Sequence, residues 1–198
     1  MKSDAEKTFQ CAVESWFLSW LMGHRKLSPQ TICSYRDTFK LLIRWLKEEK
    51  NIAPGDITFD DIDRDGIMDY VNWLATDRNN SSKTVNCRLG AIRSFANYVA
   101  CEYPERSAWA RSITGIKGAK EARPELDYLT PSEVNSLVES CDNRTPEGRR
   151  DSMMVKLLFN SGFRVSELIE LRRSSFLFAE SGCRVTVVGK GRKARTVP

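Results

Sequence analysis

Arg164 follows a glycine by two residues and precedes a glutamate by three, in the run Asn160-Ser161-Gly162-Phe163-Arg164-Val165-Ser166-Glu167-Leu168. The glycine closes one apolar periodic segment and the arginine opens the next, where free backbone N–H groups also favour an anion. Glu167 is spaced to pair with Arg164 or to cap the turn, and either would fix the guanidinium. The same spacing suits a plain helix–turn–helix corner with a surface salt bridge. Downstream, Val188-Gly189-Lys190-Gly191-Arg192-Lys193-Ala194-Arg195 places a lysine at the tip of a glycine turn, with further cations leaving along the next strand. Glycines on both sides of Lys190 let a phosphate approach backbone and ammonium closely; the alternative is a solvated hairpin tip. No GxxxxGK[ST] pattern is present, and the turn joins strand to strand, so this is not a nucleotide-binding loop of that kind.

The elements that position these residues can be read from periodicity. Thr130-Pro131-Ser132-Glu133 is a capping box with proline at the first helical position, and Val134, Leu137 and Val138 supply that helix's apolar face. A second helix is predicted from about Arg150 to Asn160, with a break at Ser161-Gly162. A third is predicted from Arg164 to Leu171, with Val165, Leu168 and Ile169 inward. Runs of β type follow at 174–179, 183–188 and 194–197, with turns at Ser181-Gly182 and Gly189-Lys190-Gly191. A small sheet ending at Pro198 would have an unprotected edge unless more chain follows, so 172–198 is expected to be the least stable part.

The first hundred residues read as four amphipathic helices. Phe9, Val13, Trp16, Phe17 and Trp20 mark the first. Ser28-Pro29 caps the second, whose inward face is Ile32, Tyr35, Phe39, Leu42, Ile43 and Leu46. The third covers Asp65 to Thr76, with Ile67, Tyr70, Val71 and Leu74 inward. After a turn at 79–82, the fourth runs from about Lys83 to Cys101, burying Val85, Leu89, Ile92, Phe95 and Val99. Periodicity fails between Tyr103 and Leu126, where prolines, glycines and five basic residues against three acidic ones predict an exposed linker.

Composition bounds the class. The chain has 198 residues, 41% hydrophobic and 29% charged, as a globular protein does, and no apolar run approaches the length of a membrane span. The six cysteines form no CxxC pair, which argues against a metal site or a disulfide framework and for reduced thiols and a cytoplasmic location. From Arg164 onward there are eight basic and three acidic side chains, which accounts for the whole net charge of +5. A basic patch of that kind attracts phosphate-bearing partners, though a solvated basic strand pair is the alternative.

Taken together, NSGFRVSELIELRRSSF and VTVVGKGRKARTVP resemble the tyrosine recombinase, or phage integrase, family of Xer-like site-specific recombinases. LTPSEVNSL is similar to the start of that family's catalytic domain, and LSPQTICSYRDTFKLLIRWL and SSKTVNCRLGAIRSFANYV to its core-binding domain. The resemblance implies a mainly α fold. It would comprise an N-terminal four-helix, SAM-like core-binding bundle over 1–105, a basic linker over 106–126, and over 127–198 a truncated α/β catalytic domain with a small antiparallel β-sheet. It implies that Arg164 holds the scissile phosphate, that Lys190 protonates the departing 5′ oxygen and that Glu167 supports the site. It also places the second and fourth helices in the major groove of double-stranded DNA. The candidate contacts there are Thr31, Ser34, Lys83, Thr84, Asn86, Arg88 and Arg93, with Arg192, Lys193 and Arg195 from the hairpin. Implied as well are further recombinase protomers as partners and no cofactor, metal, membrane or small-molecule substrate.

The sequence departs from the family pattern after Lys190. No His-x-x-Arg segment follows, the one histidine is His24, and all five tyrosines precede Arg164. The expectation is therefore a chain that binds DNA and holds a phosphate without the nucleophile that forms a 3′-phosphotyrosine. The alternatives are a non-catalytic module regulating a full recombinase and a helical protein–protein adaptor.

Overall fold

Side-chain caps start most of the helices. In the computed structural model, which describes residues 8–121, 127–179, 182–189 and 194–197, Thr8, Ser28, Asp63 and Ser81 each accept a hydrogen bond from the backbone N–H three residues on. Each such cap contributes about 1 kcal/mol. They open α1 (Phe9–Ser15), α2 (Pro29–Glu49), α3 (Arg64–Thr76) and α4 (Ser82–Glu102). The chain divides into two compact units between residues 123 and 124.

In the first unit, α1 continues as π-helical turns from Trp16 to His24. The wider π repeat carries the buried face from Trp16 to Leu21, five residues on, and leaves Leu18 and Met22 exposed. The expected inward residues of α2, α3 and α4 are buried or packed against the core. Phe95 is the hub, its ring against those of Phe9, Trp16, Phe39, Phe59, Tyr98 and Trp109 at centroid distances from 5.3 to 6.4 Å. Ile57, Phe59 and Ile62 are also core residues although they lie between α2 and α3, outside any helix.

The stretch expected to be an exposed linker over 106–126 is helical in its first part. A 3₁₀ turn at Pro104–Arg106 leads into α5 (Ser107–Thr114), which buries Ala110 and Ile113. Ile116 follows them inward, and the Trp109 indole N–H donates to the Ile62 carbonyl at 3.0 Å. With so few apolar positions in eight residues, flanked by proline and glycine, the helical period does not stand out. The bundle thus has five α-helices among its described residues; 122–126 lie outside them.

In the second unit, the predicted capping box at Thr130 and Glu133 opens α6 (Pro131–Glu139). Here Val134 is buried, whereas Leu137 is exposed. α7 (Pro146–Ser161) starts four residues earlier than the apolar pattern predicts, because Thr145 and Pro146 repeat the cap-plus-proline signal. It ends at Gly162, which has φ +60°, the left-handed conformation that glycine adopts without strain. α8 is one short stretch, Val165–Ile169. It faces differently from the expectation: Val165 and Ile169 are exposed, while Leu168 and Glu167 are buried. A second 3₁₀ turn (Arg173–Ser175) precedes β1 (Phe176–Ala179), β2 (Gly182–Val188) and β3 (Ala194–Val197). These form an antiparallel sheet in the order β1-β2-β3. Val185 and Val187 of β2 pack with Phe163 and Leu168 in the unit's small core. Among the described residues, no helix is long and apolar enough to cross a membrane.

Candidate nucleic-acid interface

The corner between α7 and α8 is assembled around Glu167. Gly162 turns the chain, so Arg164 becomes the residue immediately before α8 with extended backbone geometry. Its backbone N–H donates to Glu167 Oε2 at 2.9 Å, and its Nη1 donates to Oε1 at 2.8 Å. From β3, Arg195 Nη2 donates to the same Oε2 at 2.8 Å and to the Gly162 carbonyl at 3.0 Å. The Arg195 guanidinium lies 5.7 Å from the centre of the Phe163 ring. Glu167 is only 4% exposed. The Arg164 backbone hydrogen bond, followed by the Arg195 side chain, holds its carboxyl down at about 2, against an ordinary 4.5.

This geometry fixes Arg164 at one end only. Its side chain is 67% exposed, and one nitrogen is held by a carboxylate that stays ionised down to about pH 2. The rest of the fork is open to solvent and suited to paired hydrogen bonds with phosphate oxygens. Both roles that the spacing allowed Glu167, pairing and turn capping, are taken at once. Lys190, Arg192 and Lys193 lie outside the described residues. Arg195, expected among the DNA-contacting cations of the hairpin, bonds Glu167 and the Gly162 carbonyl while its side chain stays 42% exposed.

On the first unit, α2 and α4 form the walls of two open grooves. One, of about 460 Å³, brings together Ser34, Lys83, Thr84 and Arg88, with Cys33 and Cys87 beside them. The other brings together Thr31 and Arg93, with Arg25, Trp20 and Tyr35. Arg25 was not singled out in the sequence, although the basic run His24-Arg25-Lys26 was a signal for it. Two of the short hydroxyls pair with the serines that cap their helices: Thr31 Oγ1 is 2.9 Å from Ser28 Oγ, and Thr84 Oγ1 is 3.1 Å from Ser81 Oγ. Lys83 is exposed, whereas Arg88 and Arg93 bury their Nε atoms and are half-buried. Asn86 does not face outward as a free amide. Its Nδ2 donates to the Ala119 carbonyl at 2.9 Å and to Glu121 Oε1 at 2.7 Å, and its Oδ1 accepts from Ala119 N–H at 2.8 Å.

The tyrosines are structural or peripheral. Tyr70, Tyr98 and Tyr103 are buried and Tyr35 stacks on Trp16, all in the first unit, while Tyr128 is exposed in the second. Burial pushes the hydroxyls of Tyr70 and Tyr98 up to about 12, which keeps them protonated and weakly nucleophilic. His24 is exposed beside Trp20. Among the described residues, no three His, Cys, Asp or Glu side chains cluster as metal ligands would.

Comparison with known proteins adds the family context. The model of the phage integrase family matches residues 127–198, and that of the phage integrase N-terminal SAM-like domain matches 17–104. The chain is 37% identical over 186 residues to y4rC of Sinorhizobium fredii, whose name marks it as a candidate integrase/recombinase; the match covers 94% of this chain and 56% of that protein. It is 32% identical to a tyrosine recombinase of Pseudothermotoga lettingae, covering 92% of this chain and 59% of the other. It thus spans little more than half the length of these relatives. The fold is similar to that of the site-specific recombinase XerH, crystallised with its palindromic difH substrate in a post-cleavage complex. There the TM-score is 0.60 at 17% identity, over 89% of this chain and 50% of the other.

Proposed function

Because the chain belongs to the phage integrase family of tyrosine recombinases, we propose that these residues bind double-stranded DNA at a recombination site and hold the scissile phosphate without cutting it. The observation that carries this reading is the corner in which Glu167 fixes one edge of Arg164 and leaves the other open. In the family reaction so implied, a tyrosine oxygen attacks phosphorus to form a 3′-phosphotyrosine. Arg164 steadies the charge on the phosphate oxygens, and Lys190 gives its proton to the departing 5′ oxygen. The bond energy is conserved, so neither a metal nor a nucleotide cofactor is required.

Binding without cleavage is supported by the tyrosines. Four belong to the core of the first unit or pack against it, two of them with hydroxyls raised to about 12. The faces of α2 and α4 carry the duplex in this reading, with Lys83, Arg88 and Arg93 on phosphates and Thr31, Ser34 and Thr84 as short polar contacts. Further recombinase protomers share the site, and the free state of all six cysteines suits the cytoplasm. The test is covalent trapping on nicked duplex DNA, with binding measured in the same samples across a salt series. The expected result is salt-dependent binding and no protein–DNA adduct after denaturation. An adduct that disappears on replacing one of the five tyrosines by phenylalanine would overturn the non-cutting reading.

A further inference from the structure

Strand alternation gives Arg195 an unexpected neighbourhood. In the antiparallel register of β2 and β3, Val185 opposes Val197, and Val187 opposes Arg195. Directly opposed residues share a face of the sheet. Val185 and Val187 are both buried, so Arg195 leaves the sheet on its apolar face, its guanidinium 5.7 Å from the centre of the Phe163 ring and its side chain 42% exposed. The opposite face carries Thr186 and Thr196, whose hydroxyls lie 3.1 Å apart. The buried charge at this rim is the Glu167 carboxylate, which is costly to bury unless it is paired. Here one nitrogen of Arg195, Nη2, serves both the Gly162 carbonyl and the buried Glu167.

We propose that Arg195 is a positioning residue for Arg164, acting through Glu167, and not one of the DNA-contacting cations of the hairpin. The inference rests on the reading of Arg164 as the phosphate-holding residue. Glu167 has two oxygens and two guanidiniums to serve. With Arg195 on Oε2, the carboxylate is neutralised from behind and Arg164 is held at Oε1 with charge in excess. Without Arg195, Glu167 and Arg164 cancel one another, and the open edge of Arg164 loses attraction for an anion. The contact to Gly162 also ties β3, the strand that follows Lys190 in sequence, to the turn that aims Arg164.

The test uses the 198-residue chain and inorganic sulfate as a stand-in for the phosphodiester, with the Arg164 Nε–H signal followed by NMR from about pH 6 to about pH 3, the span over which an ordinary glutamate titrates. The unaltered chain should bind with a flat pH profile, because Glu167 stays ionised. Arg195→Gln should bind sulfate about tenfold more weakly at the upper end, the scale of one charge-assisted hydrogen bond. Its affinity should then recover as Glu167 takes a proton, through a bend above that of the unaltered chain but still below the ordinary glutamate value, because the Arg164 backbone hydrogen bond remains. Arg195→Lys restores the charge and should move the bend back down. If Arg195→Gln keeps a flat profile and unchanged sulfate affinity, while its DNA-binding salt slope falls by about one, Arg195 is a phosphate contact and the proposal is wrong. Should that variant not fold, the Glu167 carboxyl ¹³C signal of the unaltered chain decides. Titration in the ordinary glutamate range would overturn the bridge; ionisation persisting well below it supports the bridge. Arg164→Gln separates the two readings, because sulfate binding that survives it defeats the Arg164 assignment itself.

Discussion

At the scale of a residue, Glu167 links the corner's stability to pH. Its carboxyl is held at about 2 in the folded chain and returns to about 4.5 when the chain unfolds. Between those values the unfolded chain binds more protons than the folded one, so the carboxylate's contribution is complete above 4.5, declines as pH falls below it, and is gone near 2. Amide exchange over 165–169 should therefore accelerate as pH drops through that window, after correction for intrinsic exchange, and Glu167→Gln should remove the extra acid sensitivity. A corner equally acid-sensitive with glutamine at 167 would show that the two arginines do not depend on this charge. Exchange is the right probe because all five tryptophans lie in the first unit, where their fluorescence is blind to this corner.

At the scale of elements, Asn86 works as a latch on the segment that follows α5. Its amide closes a pair of hydrogen bonds with the Ala119 backbone, and a Cβ on Gly118 would sit 2.6 Å from Asn86 Oδ1. Asn86→Ala should raise the exchange rate of the Ala119 amide by roughly tenfold, since each bond contributes about 1 kcal/mol net. Unfolding of the bundle should shift little; an unchanged Ala119 amide would show that the segment is held by other contacts. This latch was not legible in the sequence, where Asn86 looks like any polar position on a helix, because its partners are 33 and 35 residues away. The long helices were legible because caps and a 3.6-residue period agree over many residues. α5 and the facing of α8 were not: eight and five residues carry too few apolar positions, and at α8 an ion pair selects which side turns inward. Arg195 escaped for a related reason, since its face is set by pairing with β2 and not by its own neighbours.

At the scale of the molecule, the question is whether both units hold the same duplex. Counterion release gives a count, because each phosphate neutralised adds about 0.9 to the slope of log affinity against log salt. Lys83 is the cleanest probe on the first unit: it is exposed, whereas Arg88 and Arg93 bury part of their stems, so that replacing either also disturbs packing. On the second unit the probe is Arg164, largely exposed and held at one nitrogen. Lys83→Gln and Arg164→Gln should each lower the slope by about one, and the double variant by about two, if one duplex is held by both units. Tryptophan fluorescence checks that the bundle is intact in the Lys83 variant. A double variant no lower in slope than Lys83→Gln alone would confine the DNA to the bundle. Arg164 would then be a structural partner of Glu167, and the phosphate-holding role proposed for the corner would fall with it.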